Sequence, residues 1–306
     1  MSSINTNASA MSALSTLRQI NSNLESTQGR ISTGLKVESG KDNAAYFQIS
    51  ETMKGDSSVY ASINEGLTLT KNSVATARLG AETINGLAQE FLDKVAFAQG
   101  ATGGQGEIEN DLDELVKQMK TTLEQSTFNG DDMLGASATV TAATIAAADG
   151  SITTAAAGGT AGTDRNVVTG ITRAGGYGVT TITVATQDMG TLVGTFEGIA
   201  TGFATNAESA TGEAFLAGVL ATTEAEVGKV TDIATKLGQS EKSLENQQEF
   251  LSSVVDNIDA GVGSMIDANM EEEAARLQAL QVQQQLATQS LSIANQAPQN
   301  ILSLFR

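Results

Sequence analysis

Residues 49–98 read ISETMKGDSSVYASINEGLTLTKNSVATARLGAETINGLAQEFLDKVAFA, and a single stripe runs the length of them. Taken alternately four and three residues apart it passes Ile49, Met53, Asp56, Tyr60, Ile63, Leu67, Thr70, Val74, Ala77, Ala81, Ile84, Ala88, Phe91, Val95 and Ala98, with only Asp56 and Thr70 interrupting it. A 3.5-residue repeat sustained over about seven heptads excludes a strand and exceeds the roughly 20-residue upper range of an ordinary globular helix. It predicts one long helix made to lie against others. Because seven residues fall slightly short of two natural turns, the partners should wind into a left-handed supercoil.

The same seam returns later as Leu216, Leu220, Thr223, Val227, Val230, Ala234, Leu237, Glu241, Leu244, Gln248, Leu251, Val255, Ile258 and Val262. Two seams of similar length around an intervening segment predict an antiparallel hairpin of rods. The residues expected to pack the rods together are Ile49, Met53, Ile63, Leu67, Val74, Ile84, Phe91, Val95, Leu237, Leu244, Leu251, Val255 and Ile258.

Between the seams, Gly100, Gly103, Gly104 and Gly106 end the first ladder and permit a reversal. A shorter helix follows on Ile108, Leu112, Leu115, Met119 and Leu123, its first turns crowded with acids at Glu107, Glu109, Asp111, Asp113 and Glu114 that suit the helix dipole. Asn129-Gly130 is a turn signal. From about 136 to 212 the chain turns to Thr, Ala, Gly and Val, with no Lys, and the helical period vanishes. Alternation over Gly178–Thr186, with Ile182 and Val184 on one face, and a second candidate strand over Asn166–Thr172 predict a hairpin through Gly175-Gly176.

Outside the rods, Ala10, Ala13, Leu17, Ile20, Leu24 and Ile31 form a thin stripe near the start. Its Ser and Asn background gives low helix propensity, so order there should depend on a partner. After Gly261 and Gly263 a last helix presents Met270, Leu277, Leu280, Leu286, Leu291 and Ile293 on a broad apolar face, followed by Pro298 and residues 301–306. Burying the two terminal stripes only on each other would leave that face half exposed. At about 25 cal/mol per Å² of apolar surface the exposed part drives self-assembly, and copies of the same chain are the simplest partners. The residues expected to carry polymerisation are Leu14, Leu17, Leu24, Ile31, Leu277, Leu280, Leu286, Leu291, Ile293, Leu302 and Leu304.

The expected fold is thus mainly α, an elongated antiparallel coiled-coil bundle of long helices formed by both chain ends, with a small β-rich central insertion. Residues 1–43 and 263–306 make a terminal-helix domain, 44–135 and 214–262 a rod domain, and 136–213 the insertion.

Composition narrows the function. The 306 residues carry a formal charge of -18, one Pro, and no Cys, His or Trp. That charge would be repelled by nucleic acid and by an anionic membrane, so neither is expected as a partner. Without Cys or His the usual zinc, haem and iron-sulfur ligands and most nucleophiles and bases are missing, so no cofactor, metal or catalytic residue is expected. Glu271-Glu272-Glu273 and the acids at 111–114 read as solvated helix faces, because adjacent helical positions point apart. The glycines at 100–106 and 158–162 lack the Lys-Ser/Thr of a phosphate loop. The Ser and Thr between 136 and 223 read first as strand and turn chemistry and second as acceptors for O-linked sugars. The first 30 residues show no basic region followed by an apolar core, so no cleaved signal peptide is expected.

Near the start stand Ile4-Asn5-Thr6-Asn7, Gly29-Arg30-Ile31-Ser32-Thr33-Gly34-Leu35-Lys36-Val37 continuing to Lys41-Asp42-Asn43-Ala44-Ala45, and Phe128-Asn129-Gly130. Towards the other end stand Asp267-Ala268 and Ala294-Asn295-Gln296-Ala297-Pro298-Gln299-Asn300-Ile301-Leu302-Ser303-Leu304. In these stretches the sequence resembles flagellin, the subunit of the bacterial flagellar filament. The resemblance implies an extracellular homopolymer exported through the flagellar type III apparatus. It also implies a cytoplasmic chaperone on the C-terminal helix, and cap and hook-junction proteins as further partners. Asp42-Asn43-Ala44-Ala45-Tyr46 resembles the alphaproteobacterial, rhizobium-like type. Phe91-Leu92-Asp93-Lys94-Val95 stands where many flagellins carry the arginines read by the animal flagellin receptor, which implies weak recognition. A non-polymerising junction or secreted coiled-coil protein of the same export system is the alternative.

Overall fold

In the computed structural model, residues 7–101, 103–135, 140–157, 164–172, 176 and 178–304 are described, with side chains to Gln296. Seven helices and four strands occur among them: α1 (Ala8–Thr33), α2 (Ala44–Gly100), α3 (Gln105–Gln125), β1 (Thr144–Ile145), β2 (Ile152–Thr154), β3 (Arg165–Thr172), β4 (Gly178–Val184), α4 (Met189–Ala200), α5 (Phe203–Ala207), α6 (Gly212–Ile266) and α7 (Met270–Leu304). Two compact units result, one of residues 1–59 with 254–306 and one of residues 60–253. Helices α2 and α6, of 57 and 55 residues, contribute to both.

The unit of residues 60–253 is organised by the stripe on α2. Leu67, Val74, Ala77, Ala81, Ile84, Ala88, Phe91, Val95 and Ala98 are fully buried. Helix α6 runs antiparallel to α2 and closes the stripe with Val219, Val230, Leu237, Leu244 and Leu251. Polar residues mark the edges of the pairing. Arg78 Nε donates to Glu241 Oε2 at 2.7 Å, Thr231 Oγ1 to Asn85 Oδ1 at 3.3 Å, and Gln248 Nε2 to Thr68 Oγ1 at 2.7 Å. Helix α3 folds back after Gly104, whose φ of 83° is the left-handed conformation that glycine tolerates best. It buries Ile108, Leu112, Leu115, Met119 and Leu123 in the same core.

Among the residues expected to pack the rods, Leu67, Val74, Ile84, Phe91, Val95, Leu237, Leu244 and Leu251 lie in this core, and Ile63 is half-buried against it. Met53, Val255 and Ile258 are half-buried in the other unit. Ile49 is a correction: it is 48% exposed. The first turns of α2 turn Phe47, Ser50 and Met53 inward instead, with Ser50 only 1% exposed. A stripe read by spacing fixes a period, but where the flanking residues are polar it does not fix which of two adjacent rows faces the partner.

The expected β-rich insertion holds strands and also a helix that periodicity did not reveal. Strands β3 and β4 pair antiparallel, Arg165 with Val184 through Thr172 with Gly178, with an irregularity between Val168 and Gly170. Ile182 and Val184 share a face, and Val184 is buried. Gly175 and the 158–162 glycines lie outside the described residues. Helix α4 follows, capped by Asp188, whose Oδ1 accepts from Thr191 N at 2.9 Å. Ten of its twelve residues are buried, so it has no polar face to generate a period. Phe196 on α4 meets Phe91 on α2 edge to face, centroids 5.1 Å apart at 68°. The residues between the rods are therefore partly rod core.

Close backbone approach explains the glycines of α4. A Cβ on Gly194 would stand 2.4 Å from Val140 Cγ1, and one on Gly198 2.2 Å from Ala143 O. The bare face lets Ala143 N donate to Gly194 O at 3.0 Å. The pair Gly261 and Gly263, expected to end the second rod, sits inside α6, which runs on to Ile266. A Cβ on Gly261 would approach Met53 Cε at 3.3 Å, so this glycine thins the helix surface for a neighbour.

Candidate assembly surface

In the unit of residues 1–59 and 254–306, α1 and α7 pair antiparallel. On α1 the residues withdrawn from solvent include Ala10, Ala13, Leu17, Ile20, Leu24, Thr27 and Ile31, alternately three and four apart, with Asn21, Gly29 and Arg30 half-buried beside them. On α7 they are Glu273, Leu277, Leu280, Gln284, Ala287, Leu291 and Ala294 in the same rhythm. Such spacing is that of a coiled-coil seam. Only Ile20, Thr27, Glu273 and Leu280 are fully buried, since two helices alone shield half of each seam.

Side-chain hydrogen bonds tie the seam at intervals. Asn7 caps α1 by accepting from Ala10 N at 3.1 Å and donates through Nδ2 to Ala294 O at 2.8 Å. Gln284 Nε2 donates to Asn21 Oδ1 at 2.8 Å. Arg30 Nη1 donates to Glu273 Oε1 at 3.2 Å, and Arg276 Nη1 lies 3.5 Å from the same oxygen. At the far end Gly34, with φ 74°, turns the chain out of α1. Lys36 N then donates to Ile266 O at 2.6 Å and Ala268 N to Gly34 O at 2.8 Å, clasping the two connectors together.

Beneath the clasp lies a small core of Val37, Val262 and Ile266, with Leu35, Phe47, Met53 and Ile258 against it. The connector is held by Asp42, whose Oδ2 accepts from Ser39 N at 3.0 Å, Glu38 N at 3.2 Å and Ser39 Oγ at 3.2 Å. The Ser39 amide first, then the Glu38 amide, holds this carboxyl below its ordinary range, with Ser39 Oγ and the Arg30 charge adding to it. Asn43 Oδ1 accepts from Tyr46 N at 3.1 Å and starts α2.

Of the residues expected to carry polymerisation, Leu17, Leu24, Ile31, Leu277, Leu280 and Leu291 lie on the α1–α7 seam. Leu14 is 38% exposed, Leu286 59% and Ile293 69%. The side chains of Leu302 and Leu304 lie outside those described. The broad apolar face of α7 therefore divides in two. One row pairs with α1, and a second row of Val282, Leu286 and Ile293 faces solvent; Met11 and Leu14 of α1 are exposed as well. The sequence reading missed Thr27, Glu273, Gln284 and Ala287 as seam positions. Their spacing signals them, but their polarity or small size hides them from a search for large apolar groups.

Among the described residues no group of His, Cys, Asp or Glu is arranged to hold a metal ion. No helix among them is long and apolar enough to cross a membrane.

Comparison with known proteins bears on this arrangement. Residues 4–139 match the family model described as the bacterial flagellin N-terminal helical region, and residues 220–305 match that of the C-terminal helical region. Over the whole of both chains the sequence is 37% identical to Flagellin C of Rhizobium meliloti and 35% identical to a flagellin of Brucella melitensis. It is 30% identical to Flagellin FljK of Caulobacter vibrioides, covering all of this chain and 99% of that one.

Proposed function

The chain belongs to the bacterial flagellin family, of the alphaproteobacterial kind, and from that premise we propose that it is the structural subunit that polymerises into the flagellar filament. The observation that carries this reading is the second row on α7. Val282, Leu286 and Ile293 remain exposed after α1 and α7 have paired, although each is a side chain worth about 1.5–3 kcal/mol when fully buried. Neighbouring copies supply that burial at no cost in solubility elsewhere, because the charged residues stay outside the row.

In this reading the terminal segments 1–43 and 263–306 form the filament core, 44–135 and 214–262 the rods, and 136–213 the insertion, whose α4 packs into the rods while its exposed strand residues are turned to solvent. The subunit acts outside the cell after export. A cytoplasmic chaperone covers the C-terminal helix beforehand, and cap and hook-junction proteins engage the same ends. Flagellin is a structural family, and the reading contains no catalytic step. The alternative of a non-polymerising protein of the same export system is not favoured, since both terminal family models match and the relatives align end to end.

Leu286→Asp tests the reading. The substitution leaves the α1–α7 seam intact and places a charge on the exposed row, where it is harmless in water and costly once desolvated. Seeded polymerisation followed by electron microscopy should show filaments from the native chain and none from the variant. Normal filaments from Leu286→Asp would remove the exposed row from the assembly surface, and absence of filaments from the native chain would overturn the function.

A further inference from the structure

Nearly every position on the α1–α7 seam is apolar or small, and such a seam is poor at choosing its partner. Any two copies of α1 or α7 offer the same spacing and similar grease. One pair across it is charged. Glu273 is 5% exposed, and within the chain its carboxylate meets Arg30 of α1 at 3.2 Å and Arg276 of its own helix at 3.5 Å. Its second oxygen, Oε2, is buried without a hydrogen-bond partner. Arg276 travels with α7 into every pairing, so Arg30 is the one counterion that depends on which helix stands opposite.

We propose that the Arg30–Glu273 pair, set into an otherwise uncharged seam, is the determinant that makes α1 choose α7 over a second α1 or a second α7. The alternatives can be enumerated from the observed register. Two α7 helices in parallel set Glu273 against Glu273, and two α1 helices in parallel set Arg30 against Arg30. Antiparallel homotypic pairs of the same seams bring Ala294 opposite Glu273, or Ala10 opposite Arg30, so that the partner helix supplies no opposite charge. A slip of the α1–α7 pair by one heptad sets Arg30 against Leu280. Each mispairing sets like charges together or takes away the Arg30 hydrogen bond, leaving Glu273, 5% exposed and with Oε2 already unpartnered, with only the 3.5 Å contact to Arg276. This is how a single polar seam position fixes partner choice in coiled coils, by penalising the wrong pairs. The neighbouring Asn21–Gln284 bond at 2.8 Å serves less well, because uncharged amides pair with themselves as readily as with each other.

This inference deepens the filament reading, since partner choice matters where many identical ends crowd together, but its test does not depend on filaments forming. The chain has no Cys, so cysteines placed at Asn21→Cys and Gln284→Cys are the sole thiols. A short bis-maleimide is added to the full chain at a concentration where circular dichroism shows the ends helical. With Arg30 and Glu273 in place the product should be the internally bridged monomer. With Arg30→Leu and Glu273→Leu, which keep the seam apolar and the helices stable, covalent dimers and higher ladders should rise at least tenfold relative to the bridged monomer. The reversed pair, Arg30→Glu with Glu273→Arg, should return the native pattern. The proposal is overturned if the leucine pair bridges internally as the native chain does, if the native chain gives the ladder, or if the reversed pair behaves as the leucine pair. Electron microscopy of the same samples reads filament formation separately.

Discussion

Replacing Phe91 by alanine separates two views of residues 136–213, an independent insertion or a part of the rod core. Phe91 is fully buried on α2, and its ring meets Phe196 of α4 at 5.1 Å and 68°. A Phe→Ala change in a packed core costs about 3–5 kcal/mol through lost transfer energy and the residual cavity. The edge-to-face contact accounts for about 0.5–1.5 kcal/mol of that. For a unit of this size about 1 kcal/mol moves the midpoint by about 2–4 °C, so Phe91→Ala should lower Tm by roughly 6–20 °C. Urea titration followed by far-ultraviolet circular dichroism should give the free-energy loss directly. Phe196→Ala should cost a similar amount. The double variant should lose less than the two single losses added, by at least the aromatic contribution, because neighbours that share a cavity are not additive. Loss below about 1 kcal/mol for Phe91→Ala, or strict additivity with Phe196→Ala, would refute the placement of α4 in the core.

Two glycines of α6 should respond oppositely to the same change. A Cβ on Gly218 would stand 1.8 Å from Asp149 O, whereas nothing lies within 4 Å of one on Gly228. Gly218→Ala should therefore destabilise by about 1–3 kcal/mol despite its better helix propensity, and Gly228→Ala should stabilise by about 0.5–1 kcal/mol; chemical denaturation measures both. The Asp42 turn should be sensitive to acid. Because the folded carboxyl is held below its ordinary value, its contribution is fully present above the unfolded value of about 3.9 and is lost as pH falls through the lowered folded one. Amide exchange at Glu38 and Ser39 should accelerate over that window in the native chain and show no such step in Asp42→Asn.

The parts of this fold that were legible in advance are those where large apolar residues keep a period over many turns. The run from Leu67 to Ala98 is read from spacing alone because each of its apolar positions is buried in one continuous core, and burial on one side only is what creates a stripe. The β3–β4 hairpin is legible for the matching reason at period two. Helix α4 is illegible. It is covered on nearly all sides, and the glycines that let the 140–143 backbone lie against it read in one dimension as loop residues. At the candidate assembly surface the seam residues Leu17, Leu24, Leu277, Leu280 and Leu291 were legible as apolar groups. The division of α7 into two rows was not, because it depends on which row α1 takes.

The sequence by itself determined that both ends are long helices, that their stripes repeat every 3.5 residues, and that thiol and imidazole chemistry has no side chains to use. Those statements depend on what each residue is and on its distance along the chain. Only the tertiary structure decided that Phe47 and Ser50 face inward in place of Ile49, that Glu273 is buried opposite Arg30, and that Val282, Leu286 and Ile293 are left uncovered. Local spacing leaves several rows of a helix nearly equivalent, and the choice among them is made by the partner that arrives from the other end of the chain.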